Sequence, residues 1–334
     1  DHPHELAQLI VRARNLNKTS GTFINTIMKH CHADGRIHGH INQIRSDDGG
    51  TVSGRISMSN PNLQQIPARD PELGPMIRSL FLPEEGEQWA AIDFSQQEPR
   101  ILVHYAYVYG RSRGAQMAGV EEFVTAYRED PDMDFHTMVA DMANIPRKQA
   151  KTINLGMMYG MGVNKLSDQL DIDVDEAKGL VGQYHDRVPF VKGLMNGVMN
   201  SLNSRGSSGS VRSILGRKCR FDLWEPATFA MHKALPYQDA LKEYGETTRL
   251  KRAYTYKALN RLIQASAADM TKQAMVNIYE QGRLPLVQIH DEIAMSVKNR
   301  EDANTIAEIM ENAVPLEIPS KCDVEIGPSW GEAS

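Results

Sequence analysis

The stretch Leu284-Pro285-Leu286-Val287-Gln288-Ile289-His290-Asp291-Glu292-Ile293-Ala294-Met295-Ser296-Val297 constrains the chain most, because two short apolar runs flank a tight polar corner. Apolar runs of that length on either side of a corner read as the strands of a hairpin. Such a corner holds acidic side chains rigidly at the lip of a sheet. Taken alone, His290-Asp291-Glu292 reads as a solvated turn. A second acid in a matching setting changes that: Asp93 ends Trp89-Ala90-Ala91-Ile92-Asp93-Phe94, a run with the character of a buried strand. Two carboxylates on adjacent strand ends repel, and one pKa rises in consequence. A divalent metal between them turns the repulsion into binding.

The totals leave room for this. With 334 residues, 41% apolar and 24% charged, the chain is long enough for two or three subdomains of ordinary globular composition. It contains no apolar run of about 18 residues, so nothing reads as a membrane span. Asp1-His2-Pro3-His4-Glu5 lacks the basic and apolar regions of a signal peptide. Cys31, Cys219 and Cys322, odd in number and far apart, fit a reducing compartment without a disulfide framework. A net charge of −5 excludes a generic polyanion binder, so a nucleic-acid role needs local basic surfaces.

Residues 4–30 carry apolar positions at helical spacing (Leu6, Leu9, Ile10, Ala13, then Phe23, Ile24, Ile27), interrupted at Lys18-Thr19-Ser20-Gly21. Asp34-Gly35 signals a hairpin turn. The surrounding His30, Cys31, His32, His38 and His40 lack the spacing of a zinc site, and strand alternation puts only His38 and His40 on one face. Residues 49–57 and 60–67 are polar, turn-rich and extended. They read as a surface loop, and Arg55 among small and amide side chains also suits a phosphate backbone and base edges. Residues 77–83 read as a strand leading to the run that ends at Asp93.

From about residue 105 to about 235 the pattern is mostly helical. Residues 147–160 form its most informative helix, with Asn144 expected as N-cap, Pro146 in the first turn, and Gly160 and Gly162 as the stop. Arg147, Lys151, Leu155 and Tyr159 recur every four residues, within a stripe of roughly 120°. Two cations, an apolar residue and a ring, in that order, suit a triphosphate, a sugar and a base. The bland alternative is a solvated basic turn followed by a core stripe. Residues 201–220 are rich in Gly and Ser and carry Arg205, Arg212, Arg217, Lys218 and Arg220 without an acid, which fits a flexible linker or a DNA-backbone contact. A helix from about residue 254 to 279 puts Asn260 and Gln264 one turn apart, where amides reach minor-groove acceptors or decorate a surface. An amphipathic helix follows Asn299, then a strand ending near Trp330.

With those stretches in this order, the chain resembles the family A DNA polymerases, which include bacterial DNA polymerase I and many phage replicative enzymes. Asp93-Phe94-Ser95-Gln96-Gln97-Glu98-Pro99-Arg100 is similar to the family's first catalytic motif, residues 147–160 to its nucleotide-binding helix, and His290-Asp291-Glu292 to its second catalytic motif. Residues 51–55 and 62–67, and Asn260 with Gln264, fall where the family has template-primer contacts. Arg55, Asn62, Gln64, Arg78, Asn260, Gln264 and His290 are the DNA-contact candidates. The resemblance covers nearly the whole chain and implies an α+β right-hand fold. Its antiparallel-sheet palm would be residues 21–104 and 241–334, its helical fingers residues 105–240. The thumb would be largely missing, with residues 1–20 at most its last helix. No stretch remains for a proofreading exonuclease, so the resemblance points to a fragment of a larger polymerase or to further parts on a separate chain. Implied partners are primer-template DNA, dNTPs and an accessory or processivity subunit, in the cytoplasm of a bacterial or phage-infected cell, with no membrane.

The implied reaction joins a dNTP to a primer 3′-hydroxyl with two Mg²⁺ ions, for which Mn²⁺ is the expected substitute. The resemblance makes Asp93, Asp291 and the Phe94 carbonyl the metal ligands and gives Glu292 a lesser part. It assigns Arg147, Lys151 and His136 to the triphosphate, Lys151 also to protonating pyrophosphate, and Gln96 to the dNTP contacts. Glu98 would lie near the sugar C2′, close to the Tyr159 ring, leaving no room for a 2′-hydroxyl. Burying an unpaired hydroxyl and overpacking together amount to roughly 30- to 10⁴-fold discrimination. Ser95 and Glu98 also fit a helix capping box, although Pro99 disfavours helix at Glu98 and sets it at the helix mouth. Competing readings are a silent DNA-binding scaffold, a single-subunit RNA polymerase and a zinc hydrolase. Intact Asp93, Asp291, Lys151 and Arg147 oppose the first, and Glu98 opposes the second.

The chain departs from the family pattern twice. Pro99 replaces an aliphatic residue, and Leu155 stands where relatives usually carry Phe or Tyr against the incoming sugar. A branched aliphatic gives a smaller, non-planar surface without a hydroxyl. Incorporation is therefore expected to be slower, and dideoxynucleotides strongly rejected. Leu155→Tyr should increase ddNTP use over the parent in steady-state incorporation assays; no gain would remove Leu155 from the sugar contact.

Overall fold

The computed structural model describes residues 4–44, 50–68, 70–114, 116–204, 206–228 and 230–333. Residues 1–3 of the expected thumb helix, Gly49 of the polar stretch and Arg205 of the basic stretch lie outside the described residues. Nine elements carry the argument: β1 (Gln88–Phe94), α1 (Gln97–Arg111), α2 (Phe135–Ala143), α3 (Arg147–Met158), α4 (Ala258–Glu280), β2 (Val287–Ile289), β3 (Glu292–Val297), α5 (Arg300–Glu311) and β4 (Cys322–Gly327). Two compact units are present. The first comprises Asp1–Phe94, Met270–Ala313 and Cys322–Ser334, the second Ser95–Asp269 and Val314–Lys321. The division read from sequence at 104/105 and 240/241 falls inside α1 and the helix Tyr237–Tyr244. The fold class is α+β, as expected.

The first unit is built on a four-stranded antiparallel sheet in the order β4-β1-β3-β2. β1 is apolar on both faces because both are covered. Alternation puts Trp89, Ala91 and Asp93 on one face and Ala90, Ile92 and Phe94 on the other. A core cluster of Met58, Leu63, Ile66, Ile77, Val287, Ala294 and Trp330 closes over Trp89. α5 packs on β1, β3 and β4, burying Ala303, Ile306, Ala307 and Met310 at helical spacing. It starts where Asn299 accepts a hydrogen bond from the Asp302 N–H. Trp330 is fully buried, stacked on Trp89 at 5.7 Å and set edge-on to Phe81 at 5.3 Å. The next residue has to be glycine, since a Cβ at Gly331 would collide with the Pro75 carbonyl and with Ser79.

Three local readings need correction. Residues 77–83 are not a strand: Leu73–Arg78 is a helix, because Asp70 accepts from the N–H groups of Glu72 and Leu73 and Pro75 sits in the first turn, where its missing N–H costs nothing. The interruption at residues 18–21 does not end the N-terminal helix. Glu5–Thr19 continues through a π turn, Ser20–Ile24, into Asn25–His30. Residues 201–220 are not simply a linker, for Ser210–Arg212 pairs with Lys218–Arg220 as a hairpin. Asp34-Gly35 does turn the chain, with Gly35 at φ 77 and a bridge between Cys31 and Ile37.

The second unit is mainly helical. Phe123 packs on Phe135 at 5.0 Å and on Phe190 at 5.2 Å, joining three helices around one core. Arg100 is its polar anchor. It is 2% exposed, lies 4.6 Å over the Tyr127 ring, and donates to the carbonyls of Ser95, Pro131 and Pro319. Among the described residues no helix is long and apolar enough to cross a membrane. Emptying the site of one large buried ring costs about 3–5 kcal/mol. Trp330→Ala should therefore lower the urea midpoint of the first unit's unfolding by that equivalent; a loss below about 1 kcal/mol would show that the Trp89–Trp330 stack does not hold the sheet.

Candidate active site

Sheet register assembles the acids of the first unit. Glu292 pairs with Ile289, so His290 and Asp291 alone make the turn between β2 and β3. His290 takes the left-handed conformation at φ 57 that primed hairpin turns need at their first position. Gln288 Nε2 donates to the His290 carbonyl at 2.6 Å, and Gln64 Nε2 donates to the carbonyls of Gln288 and Ile56. The turn is fastened to β1 by the Phe94 N–H, which donates to the Asp291 carbonyl at 3.3 Å. Across the sheet Asp93 stands opposite Glu292 on one side and Asp323 on the other. Side chains of directly opposed residues share a face, so three carboxylates line one row beside Asp291.

The electrostatics follow from that row. Burial, then Asp291, Glu292 and Asp323, push the Asp93 carboxyl up to about 8. Burial raises Asp291, opposed by its own backbone N–H, Arg55 and His290. Burial also raises Glu292, opposed by the Arg78 charge and by the Trp330 indole. Asp93 Oδ1 and Glu292 Oε1 are buried without a hydrogen-bond partner. Orphaned oxygens among mutually repelling carboxylates suit a divalent cation. Among the described residues no group of three or more His, Cys, Asp or Glu side chains forms a ready-made cage, and this includes the histidines near Cys31. A cation here would take two carboxylates and complete its shell from outside the protein, the habit of Mg²⁺.

The second unit carries the candidates of the cationic helix. α3 starts at Arg147 with Pro146 as N-cap, while Asn144 is instead the left-handed C-cap of α2 at φ 52. Asn suits both positions, since its short amide tolerates positive φ as well as capping an N-terminus. At the other end Gly160, φ 68, closes a Schellman motif: its N–H bonds the Met157 carbonyl and that of Met161 bonds Gly156. Arg147, Lys151 and Tyr159 are exposed and Leu155 half-buried, so the stripe faces solvent. Arg147 pairs with Asp134 and donates to Thr137, whereas Lys151 makes no ion pair among the described residues. Tyr159 donates to Glu98 Oε2 at 2.6 Å. Glu98 is the second residue of α1, whose N-cap is Gln96 at φ 52, so no Ser95–Glu98 capping box forms and Pro99 falls third rather than first. Pro99 is tolerated there because first-turn N–H groups lack intrahelical partners. Gln96 is occupied internally, accepting from the Phe135 N–H at 2.8 Å and donating to the Met133 carbonyl, which places the start of α2. His136 is buried against Asn154.

The DNA-contact candidates have varied settings. His290 is exposed, and Arg55 acts electrostatically on Asp291. Asn62 accepts from the Gln64 N–H, and Gln64 holds the hairpin as described. Arg78 is 6% exposed, stacked 4.6 Å over Trp330 and facing Glu292. Asn260 and Gln264 are half-buried positions on α4, flanked by buried Leu259, Leu262, Ile263 and Ala265. Of the basic stretch, Arg217 is bound to Asp269 and to the Ala265 carbonyl. Sequence reasoning missed Asp323, Asp134 and Asn154. The alternation of Asp323 and Glu325 in the last strand was the only available signal for the first of these.

Comparison with known proteins agrees on one family. The profile of DNA polymerase family A matches residues 1–332. A DNA-directed DNA polymerase of Pseudomonas phage M6 is 40% identical over 376 residues, which cover 100% of this chain and 52% of that protein. The thermostable DNA polymerase I of Thermus aquaticus is 31% identical over 345 residues, covering 98% of this chain and 36% of that one. Among solved structures, the POL domain of Pol1 from M. smegmatis, in complex with DNA primer-template and dNTP, superposes with a TM-score of 0.75 at 29% identity, over 98% of this chain and 53% of that one. The chain thus spans about half the length of the phage relative it matches.

The raised Asp93 value has a direct consequence for stability. The group binds its proton more tightly when folded (about 8) than at its ordinary 3.8, so its stabilising contribution is complete below pH 3.8 and is lost as pH rises through about 8. Asn cannot ionise. In metal-free buffer Asp93→Asn should melt higher than the parent at about pH 9 and alike at about pH 4. Parallel melting curves at both pH values would show that the carboxylate row exerts no such pressure.

Proposed function

The chain belongs to DNA polymerase family A, and from that premise we propose that it extends a primer 3′-hydroxyl with dNTPs under the direction of a template strand. The observation that carries this reading is Asp93 with its orphaned Oδ1, in a row with Glu292 and Asp323 beside Asp291. In this reading the first unit serves as palm and the second as fingers, which moves the boundaries to 94/95 and 269/270. Asp93, Asp291 and the Phe94 carbonyl would hold Mg²⁺. When bound, the ions supply Lewis acidity to the attacking and leaving oxygens of phosphoryl transfer.

The other residues bind, orient and neutralise. Lys151, which makes no ion pair among the described residues, offers its cation to the triphosphate and would protonate pyrophosphate. Arg147 exchanges Asp134 for phosphate, a trade of one anion for a more highly charged one. Its pair with Asp134 is half exposed and worth about 0–1 kcal/mol, so the exchange costs little. His136 adds a hydrogen bond. Leu155 meets the sugar, and Tyr159 bears the base. Glu98, fixed by the Tyr159 hydroxyl, excludes a 2′-hydroxyl. Arg55, Asn62, His290, Asn260 and Gln264 track the primer-template. Gln64 and Arg78 act from beneath, Gln64 by holding the hairpin and Arg78 by balancing Glu292.

Asp93→Ala and Asp291→Ala should each reduce Mg²⁺-dependent primer extension below about a thousandth of the parent rate, a barrier increase of about 4 kcal/mol, while primer-template binding measured by gel shift stays close to the parent's. Extension at near the parent rate by either variant would overturn the reading.

A further inference from the structure

His136 on α2 and Asn154 on α3 make an enclosed polar contact. Asn154 is 0% exposed and His136 6% exposed, and Asn154 Nδ2 lies 2.9 Å from His136 Nδ1. An amide nitrogen has only N–H bonds to offer, so Nδ1 accepts, and in a neutral ring the proton then sits on Nε2. Nε2 makes no hydrogen bond among the described residues and is not one of the buried unpartnered atoms, so it is the ring nitrogen open to solvent. Asn154 Oδ1 is buried without a partner. Turning the amide over would pair that oxygen with an Nδ1–H and orphan the nitrogen instead. With the nitrogen against Nδ1, as the structure has it, the amide sets which edge of the ring carries the donor.

We propose that Asn154 is a positioning residue that holds His136 as its Nε2–H tautomer, presenting a neutral donor to an anionic oxygen of the nucleotide's triphosphate. This rests on the reading of His136 as a triphosphate contact and deepens it. A bare lone pair at Nε2 would repel a phosphate oxygen, so the tautomer is the difference between a contact and an obstacle. The ring does not obtain its donor by charging. Burial foremost, with Lys151 and Arg147 of α3, lowers its pKa to about 4 against the pull of Asp134, and no charged group of the helix Val174–Arg187, which also packs on α2, acts on it.

Two measurements test this. Nitrogen NMR of the full chain with isotope-labelled histidine, assigned by the signal lost in His136→Gln, should show Nδ1 unprotonated and Nε2 protonated at about pH 7.5. The reverse assignment would overturn the proposal whether or not the protein extends primers. The second compares the KM for dNTP in primer extension across about pH 6–9 for the parent, Asn154→Leu and Asn154→Asp. Asn154→Leu should raise KM about five-fold, the factor carried by one hydrogen bond, with kcat nearly unchanged. Asn154→Asp accepts from Nδ1–H, so it should match the parent at the acid end, where the ring is charged, and lose affinity at the alkaline end, where Nε2 is bare. If Asn154→Asp follows the parent at every pH, Asn154 has only a packing role. A parent that extends no primer would refute the polymerase reading and leave the tautomer to be decided by NMR.

Discussion

Like charges opposed across a sheet are the constraint on which the first unit turns. Asp93, Glu292 and Asp323 face one another on neighbouring strands, with Asp291 on the adjoining turn. Opposed like charges destabilise a sheet, and burial makes each ionised carboxylate costlier still. The unit tolerates this because the rest of the sheet is heavily buried. Trp89 and Trp330 stack at one end of β1, α5 packs on β1, β3 and β4, and the acids occupy the other end of β1. Arg78 and Trp330 relieve Glu292, and Arg55 relieves Asp291, but among the described residues no cationic side chain relieves Asp93. The strongest unmet electrostatic demand of the unit is therefore concentrated at a single carboxylate.

The second unit handles charge in the opposite way. On α3, Arg147 is a surface cation paired with Asp134 and Lys151 makes no ion pair among the described residues, while Gln96 and Arg100 are committed to holding the backbone. Gln96 spends both ends of its amide on residues 133–135, and Arg100 spends its guanidinium on three carbonyls. These bonds set where α2 begins relative to α1, and so where His136 stands on the helix beside α3.

Much of this was legible in sequence where periodicity or chain chemistry is local. The corner at residues 290–292 and the strand ending at Asp93 follow from short apolar runs, and the end of α3 follows from Gly160, the residue that adopts positive φ most cheaply. Other features depend on long-range facts. Register between β1 and β4 joins residues 230 positions apart, as with Asp93 and Asp323, and nothing local encodes it. Arg78 reads as a DNA-contact candidate, yet a tryptophan about 250 residues later covers it. Asn144 was misread for a chemical reason: the same short amide serves the start of one helix and the end of another.

The bond from Arg100 to the Pro319 carbonyl spans 219 residues, and the short segment Val314–Lys321 belongs to the second unit although most of that unit ends at Asp269. During synthesis the helices around Tyr127 can collapse long before residue 319 exists. Through that interval a guanidinium bound for the interior lacks one of its acceptors, and contacts so distant along the chain slow final closure. A growing chain of this protein would therefore carry a helical lobe with an unsealed seam until the segment Val314–Lys321 supplies the Pro319 carbonyl.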